Sequence, residues 1–141
     1  MRAEAFTAAL SAEHAAIYGY GLVGARLAGP DQAAARDAEA AHRNRRDLIA
    51  GLMVAADASP PAAEAAYAVP FPVTDRASAL RLAASLEDGT ARAWHQAIAV
   101  TTAEERKVAL EALVDSAVRA TRWRKLAGTA PATVPFPGRA T

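Results

Sequence analysis

The chain reads as an all-α four-helix bundle, and three observations carry that expectation. Its residues are 52% hydrophobic but only 6% aromatic, and alanine supplies much of the apolar content. Alanine has the highest helix propensity and lets helix axes approach closely. Four long stretches repeat apolar residues at three- and four-residue spacing, each bounded by glycine, proline or a capping residue. Strand-forming residues are scattered and never alternate for long. With 141 residues the chain suits one domain with one core. The expected division is a bundle over 1–128, with a connection at 57–73, and a proline-containing tail over 129–141.

Helix 1 is expected over 3–28, stopped by Gly29-Pro30. Phe6, Leu10, Glu13, Ile17, Tyr20, Gly24 and Leu27 form its seam, so Glu13 occupies a position that faces the interior. A carboxylate there is costly unless a cation or hydrogen-bond donor meets it. Gly19, Gly21 and Gly24 mark a close helix approach, since no strand precedes them to make a dinucleotide-binding loop.

Helix 2 runs from Pro30-Asp31 to Ala56, with His42 inside its apolar stripe and Glu39 at the edge. Glu39-Ala40-Ala41-His42 places a carboxylate and an imidazole about 60° apart on one side of a helix, where both can reach a single ion. Arg45 and Arg46 lie on the same side, one turn further on.

Ser59-Pro60-Pro61 and Pro70-Phe71-Pro72 prevent one continuous helix across 57–73, although 62–67 is expected to form a short one. Extended, this segment reaches roughly 50 Å, enough to travel the length of a bundle helix. It is therefore expected to be a crossover that makes helices 2 and 3 parallel.

Helix 3 starts after Thr74-Asp75 and runs to Val100 on the seam Leu80, Ala84, Glu87, Ala91, Trp94 and Ile98, again with a glutamate at its centre. Thr102 stands three residues before Glu105, a capping-box spacing that opens helix 4. That helix is expected to end at Gly128, and its stripe to be Ala103, Arg106, Leu110, Leu113, Ala117, Ala120/Thr121 and Arg124.

Glu13, His42 and Glu87 lie about 15, 11 and 13 residues from the same end of the bundle, levels within roughly 6 Å of one another. Leu113, Val114 and Ala117 are the residues expected at that depth on helix 4, and none of them binds an ion.

These features resemble the ferritin-like fold: four helices, a long crossover, Glu13 on the first helix, Glu39-x-x-His42 on the second and Glu87 on the third. The run from Glu13 through Gly21, the Ala41-His42-Arg43 run ending at Asp47, and the late Trp123-Arg124 resemble the actinobacterial DUF4439 family, whose function is unknown. The wider resemblance implies metal-binding positions at Glu13, Glu39, His42 and Glu87. Di-iron members carry a second E-x-x-H on the last helix, and no histidine follows His95 here. Two bridged metals, and the oxidase chemistry that needs them, are therefore not expected.

Two readings of the four residues stay open. In one, a buried Glu/His/Arg network replaces the di-iron site, with Arg45 or Arg46 neutralising Glu13 and Glu39, His42 hydrogen-bonded to Glu87, no cofactor and no catalysis. In the other, the half-site holds a single iron, manganese or zinc ion. No serine has the partners of a nucleophile, and the absence of cysteine excludes thiolate chemistry.

A formal net charge of +1 argues against nucleic acid or an anionic membrane as partner. No window approaches a membrane span, and no basic-then-apolar leader is evident, so a cytoplasmic location is expected. Leu22, Val23 and Leu48 lie off the central stripes, which makes a homodimer the expected partner state, with a separate protein partner as the other interaction reading.

Overall fold

The computed structural model of the chain describes residues 3–140, which form four α-helices and no strand. Met1, Arg2 and Thr141, the outermost residues of the expected 1–128 and 129–141 divisions, lie outside the described residues. A 3-10 turn at Ala3–Phe6 leads into α1 (Thr7–Gly24), followed by α2 (Gly29–Ala55), α3 (Arg76–Val100) and α4 (Ala103–Ala127).

α1 stops at Gly24, earlier than expected, because glycine-rich helix frays easily and a side chain takes over its last turn. The Gln32 amide donates to the Gly24 carbonyl at 3.1 Å, and Leu27 is buried in the turn that follows. α3 opens on a reciprocal cap in which Asp75 accepts from the Ser78 backbone at 2.8 Å and Ser78 Oγ accepts from the Asp75 N–H at 3.1 Å. α4 starts at Thr102 without the expected side-chain cap. The neighbouring Thr101 is buried, its hydroxyl turned back to the Ala97 carbonyl at 2.8 Å. Gly128 ends α4 at φ +72°, and the Thr129 N–H reaches the Arg124 carbonyl at 2.9 Å.

Side-chain pairs set the helix directions. Glu13 meets Trp94 and Tyr20 meets Glu87, so α1 and α3 run antiparallel. The pairs Asp88–Arg124 and Thr90–Ser116 do the same for α3 and α4. In one apolar cluster Phe6 packs with Met53, and in the other Val23 packs with Ala35, so α1 and α2 are antiparallel too. α2 and α3 are therefore parallel, and Arg76 Nε donates to Asp31 at 2.8 Å where both begin.

The segment 56–75 between them carries no helix, including the one expected at 62–67, because prolines bracket a stretch too short to nucleate alone. It is anchored along α1, where Tyr18 and Tyr67 rings stand 5.8 Å apart and the His14 ring nitrogen meets the Pro61 carbonyl at 3.0 Å. The tail crosses α3 and α4. The Ala132 carbonyl accepts from Arg124 at 3.2 Å, and Gly138, at φ +81°, lies so close to α3 that a Cβ would stand 2.5 Å from the Ala91 carbonyl oxygen. No helix among the described residues is long and apolar enough to cross a membrane.

The core has two apolar halves. Tyr20, Val23, Leu80, Leu82 and Trp123 fill one, and Phe6, Leu10, Ile49, Met53 and Trp94 the other. Between the halves every helix contributes at least one buried polar residue: Glu13 on α1, His42 on α2, Glu87 and Thr90 on α3, and Ser116 on α4.

α4 is rotated from the expected stripe. It buries Ala109, Ala112, Ser116, Ala120 and Trp123, while Leu110, Val114 and Val118 remain 50%, 52% and 45% exposed. Trp123 sets this phase, because its large ring fills the core and its indole N–H finds an acceptor there. The small residues in line with it permit close approach to α3.

Candidate functional site

The polar layer centres on His42, whose ring stands between two glutamates. Nδ1 lies 2.5 Å from Glu13 Oε2, Nε2 lies 2.8 Å from Glu87 Oε1, and all three side chains are 0% exposed. One imidazole can hydrogen-bond two carboxylates through both nitrogens only by donating from both, which makes it an imidazolium. Burial alone would push its pKa down, but the hydrogen bonds and charges of Glu13 and Glu87 hold it up at about 9.

Each glutamate has further donors. Glu13 Oε1 accepts from the Trp94 indole at 2.7 Å and from Arg45 at 3.1 Å. Burial raises its pKa, yet His42, Arg45 and Trp94 together leave it below the ordinary value. Glu87 Oε1 also accepts from the Tyr20 hydroxyl at 2.5 Å, with the Arg119 guanidinium 3.5 Å away. The Tyr20 oxygen in turn accepts from the Trp123 indole at 2.8 Å, and its ring stacks on His42 with centroids 5.6 Å apart. Burial and the facing Glu87 charge push the Tyr20 pKa well above its ordinary value, so it remains a neutral donor.

Asp115 closes the circuit by accepting from both Arg45 and Arg119. Its burial is outweighed by these two cations, which keep its carboxyl below the usual range. Three carboxylates thus face two guanidiniums and one imidazolium, and the formal charge balances with His42 protonated. Glu87 Oε2 alone among the buried side-chain oxygens and nitrogens described has no hydrogen-bond partner.

Of the four residues singled out from sequence, Glu13, His42 and Glu87 come together and Glu39 does not. Glu39 turns outward and pairs with Arg43 at 2.7 Å, one helical turn on. Arg45 supplies the expected cation, whereas Arg46 binds Asp47. The expectation that helix 4 offers nothing at this level is corrected: its rotation brings Asp115, Ser116, Arg119 and Trp123 to the layer. The Asp115/Arg119 spacing of four and the in-phase Ser116 and Trp123 carried that signal, but the Leu110/Leu113 stripe, one residue further on, outweighed it in a hydrophobic reading.

This arrangement, a helical bundle divided by a buried histidine–carboxylate layer, defines the class. The chain belongs to the family described as domain of unknown function DUF4439, whose model matches residues 5–141. It is similar in structure to a conserved hypothetical protein, rv2844, from Mycobacterium tuberculosis: TM-score 0.84, 40% identity, covering 87% of this chain and 94% of that one. No curated protein matches the chain.

Proposed function

We propose that this is a non-enzymatic, ferritin-like bundle in which a charge-balanced Glu/His/Arg network occupies the level where di-iron relatives hold their metals. The carrying observation is the double engagement of His42: a metal-ligating imidazole needs a free lone pair, and here both nitrogens point at carboxylate oxygens. Guanidiniums stand at Glu13 and Glu87 where cations are needed, Glu39 is paired elsewhere, and α4 offers no second E-x-x-H. This donor set does not fit a pair of bridged ions. The network's role is to hold four alanine-rich helices in one register.

One observation favours a second reading. The free Oε2 of Glu87 is a buried acceptor that a single iron, manganese or zinc ion could engage together with His42 Nε2, once the ring loses a proton; Glu13, on the opposite ring nitrogen, would have to swing round to join it. Metal content of protein purified without chelators separates the two. The network reading expects well under about 0.1 ion per chain, even after incubation with each metal and desalting. About one ion per chain, lost in Glu13→Gln and His42→Gln, would establish the single-ion site instead.

We further propose that two copies associate through the outward face of α4. Antiparallel pairing of α4 about Val114 sets Leu110 of one copy against Val118 of the other. It also brings Glu104 near Lys125, oppositely charged residues with no other described partner. Light scattering is expected to give about twice the 14.6 kDa chain mass, and Val114→Lys is expected to give the monomer. A monomer at every concentration tested would refute the pairing.

A further inference from the structure

Away from the buried layer, the tail roofs a recess of about 410 Å³ over α3 and α4. This volume lies within the range of small-ligand sites. Four charged residues line it: Asp88 and Arg92 from α3, Arg124 from α4 and Arg139 from the tail. Its apolar lining includes Val118, Val134 and Pro137. A second recess of about 380 Å³ shares Asp88, Arg92 and Arg124 and adds Arg81.

The four charges differ in what they already hold. Arg124 is only 11% exposed, with one arm on Asp88 and the other on the Ala132 carbonyl, so this pair is a structural floor. Arg92 is exposed and has no described partner, and Arg139 has only the face of Phe136, 5.7 Å from its guanidinium carbon. Two uncompensated guanidiniums thus line a walled recess with the Thr133 side chain, beside an apolar surface. The roof is fixed where Gly138 seats against Ala91, a position with no room for a Cβ.

We propose that this recess binds a phosphorylated small molecule. Arg92 and Arg139 take a dianionic phosphate monoester through forked charge-assisted hydrogen bonds. The apolar portion of the ligand lies on Val134 and Pro137. Two free positive charges match a dianion better than a monocarboxylate, and the apolar lining favours an ester over free phosphate.

Phenyl phosphate is the probe, followed by amide chemical shifts and calorimetry on the whole chain. Saturable shifts are expected at residues 88–92, 117–124 and 133–139. Arg92→Ala and Arg139→Ala are each expected to weaken binding roughly tenfold or more, while Arg36→Ala, an exposed arginine on α2, leaves it unchanged. Benzoate and inorganic phosphate are both expected to bind more weakly than phenyl phosphate. Circular dichroism checks that the surface variants fold. Absence of saturable shifts, equal loss in Arg36→Ala, or binding indifferent to both Arg92 and Arg139 would overturn the site. Equal affinity for inorganic phosphate would overturn the role of the apolar lining.

Discussion

Glu13→Ala is expected to destabilise the chain by about 3–5 kcal/mol, the range for removing one partner of a buried ion pair. Glu13 accepts hydrogen bonds from three side chains on two helices: His42 on α2, Trp94 on α3 and Arg45 on α2 one turn further. Its removal leaves an imidazolium with a single carboxylate and an indole N–H buried without an acceptor. Stranding such a donor alone costs about 1–3 kcal/mol. Arg45 suffers less, because Asp115 still holds it. Against a total stability of about 5–15 kcal/mol for a domain of this kind, the loss is large. Urea unfolding should show a lower midpoint with an unchanged slope. Glu13→Gln keeps the volume and an acceptor for Trp94, so its loss should be smaller by about 1–2 kcal/mol. If Glu13→Ala lost less than about 1 kcal/mol, the network could not be what fixes the helices.

How legible was this layer in the sequence? Glu13 and Glu87 were, because a carboxylate at the centre of an otherwise apolar heptad seam has to be matched inside the fold. His42 was legible for the same reason, and the three levels agreed because helical rise is nearly constant. Glu39 was misplaced: a spacing of three puts it near His42 on the helix but does not decide which side of a narrow stripe meets the core. Its pairing with Arg43 resolved that outward. The rotation of α4 was not legible, since Leu110 and Leu113, with Ala117 in line, make an apolar stripe that competes with Ala109, Ala112, Ser116 and Trp123. Burial energy alone favours the larger side chains. Close packing against α3 and the partners available to Trp123 decide otherwise, and both are tertiary facts. Tyr20 and Trp94 were readable as packing residues, whereas their roles as donors to Glu87 and Glu13 depend on χ angles that no spacing encodes.

Stability is expected to fall as pH rises from 6.5 to 9, by about 3 kcal/mol in total, at roughly 1.4 kcal/mol per pH unit. The imidazole of His42 titrates at about 9 in the fold against an ordinary 6.5. Between these values the folded chain keeps a proton that the unfolded chain has released, so raising pH favours unfolding. The contribution is whole below 6.5 and gone above 9. On the acid side the direction reverses: Glu13 titrates below 4.5 in the fold, so its contribution is present above 4.5 and fades as pH falls through the folded value. Both limbs describe the same ion pair and are not summed. Maximum stability should therefore lie between 4.5 and 6.5. Tyr20, raised well above 10, stays protonated throughout the alkaline limb and keeps its bond to Glu87. Urea midpoints measured from pH 5 to 10 test this, with His42→Gln expected to flatten the alkaline limb. A midpoint constant from 6.5 to 9 in the unaltered chain would show that His42 is not held as an imidazolium. A neutral ring can donate to only one of its two carboxylates, so the alkaline limb reads directly whether the layer is held by charge or merely by shape.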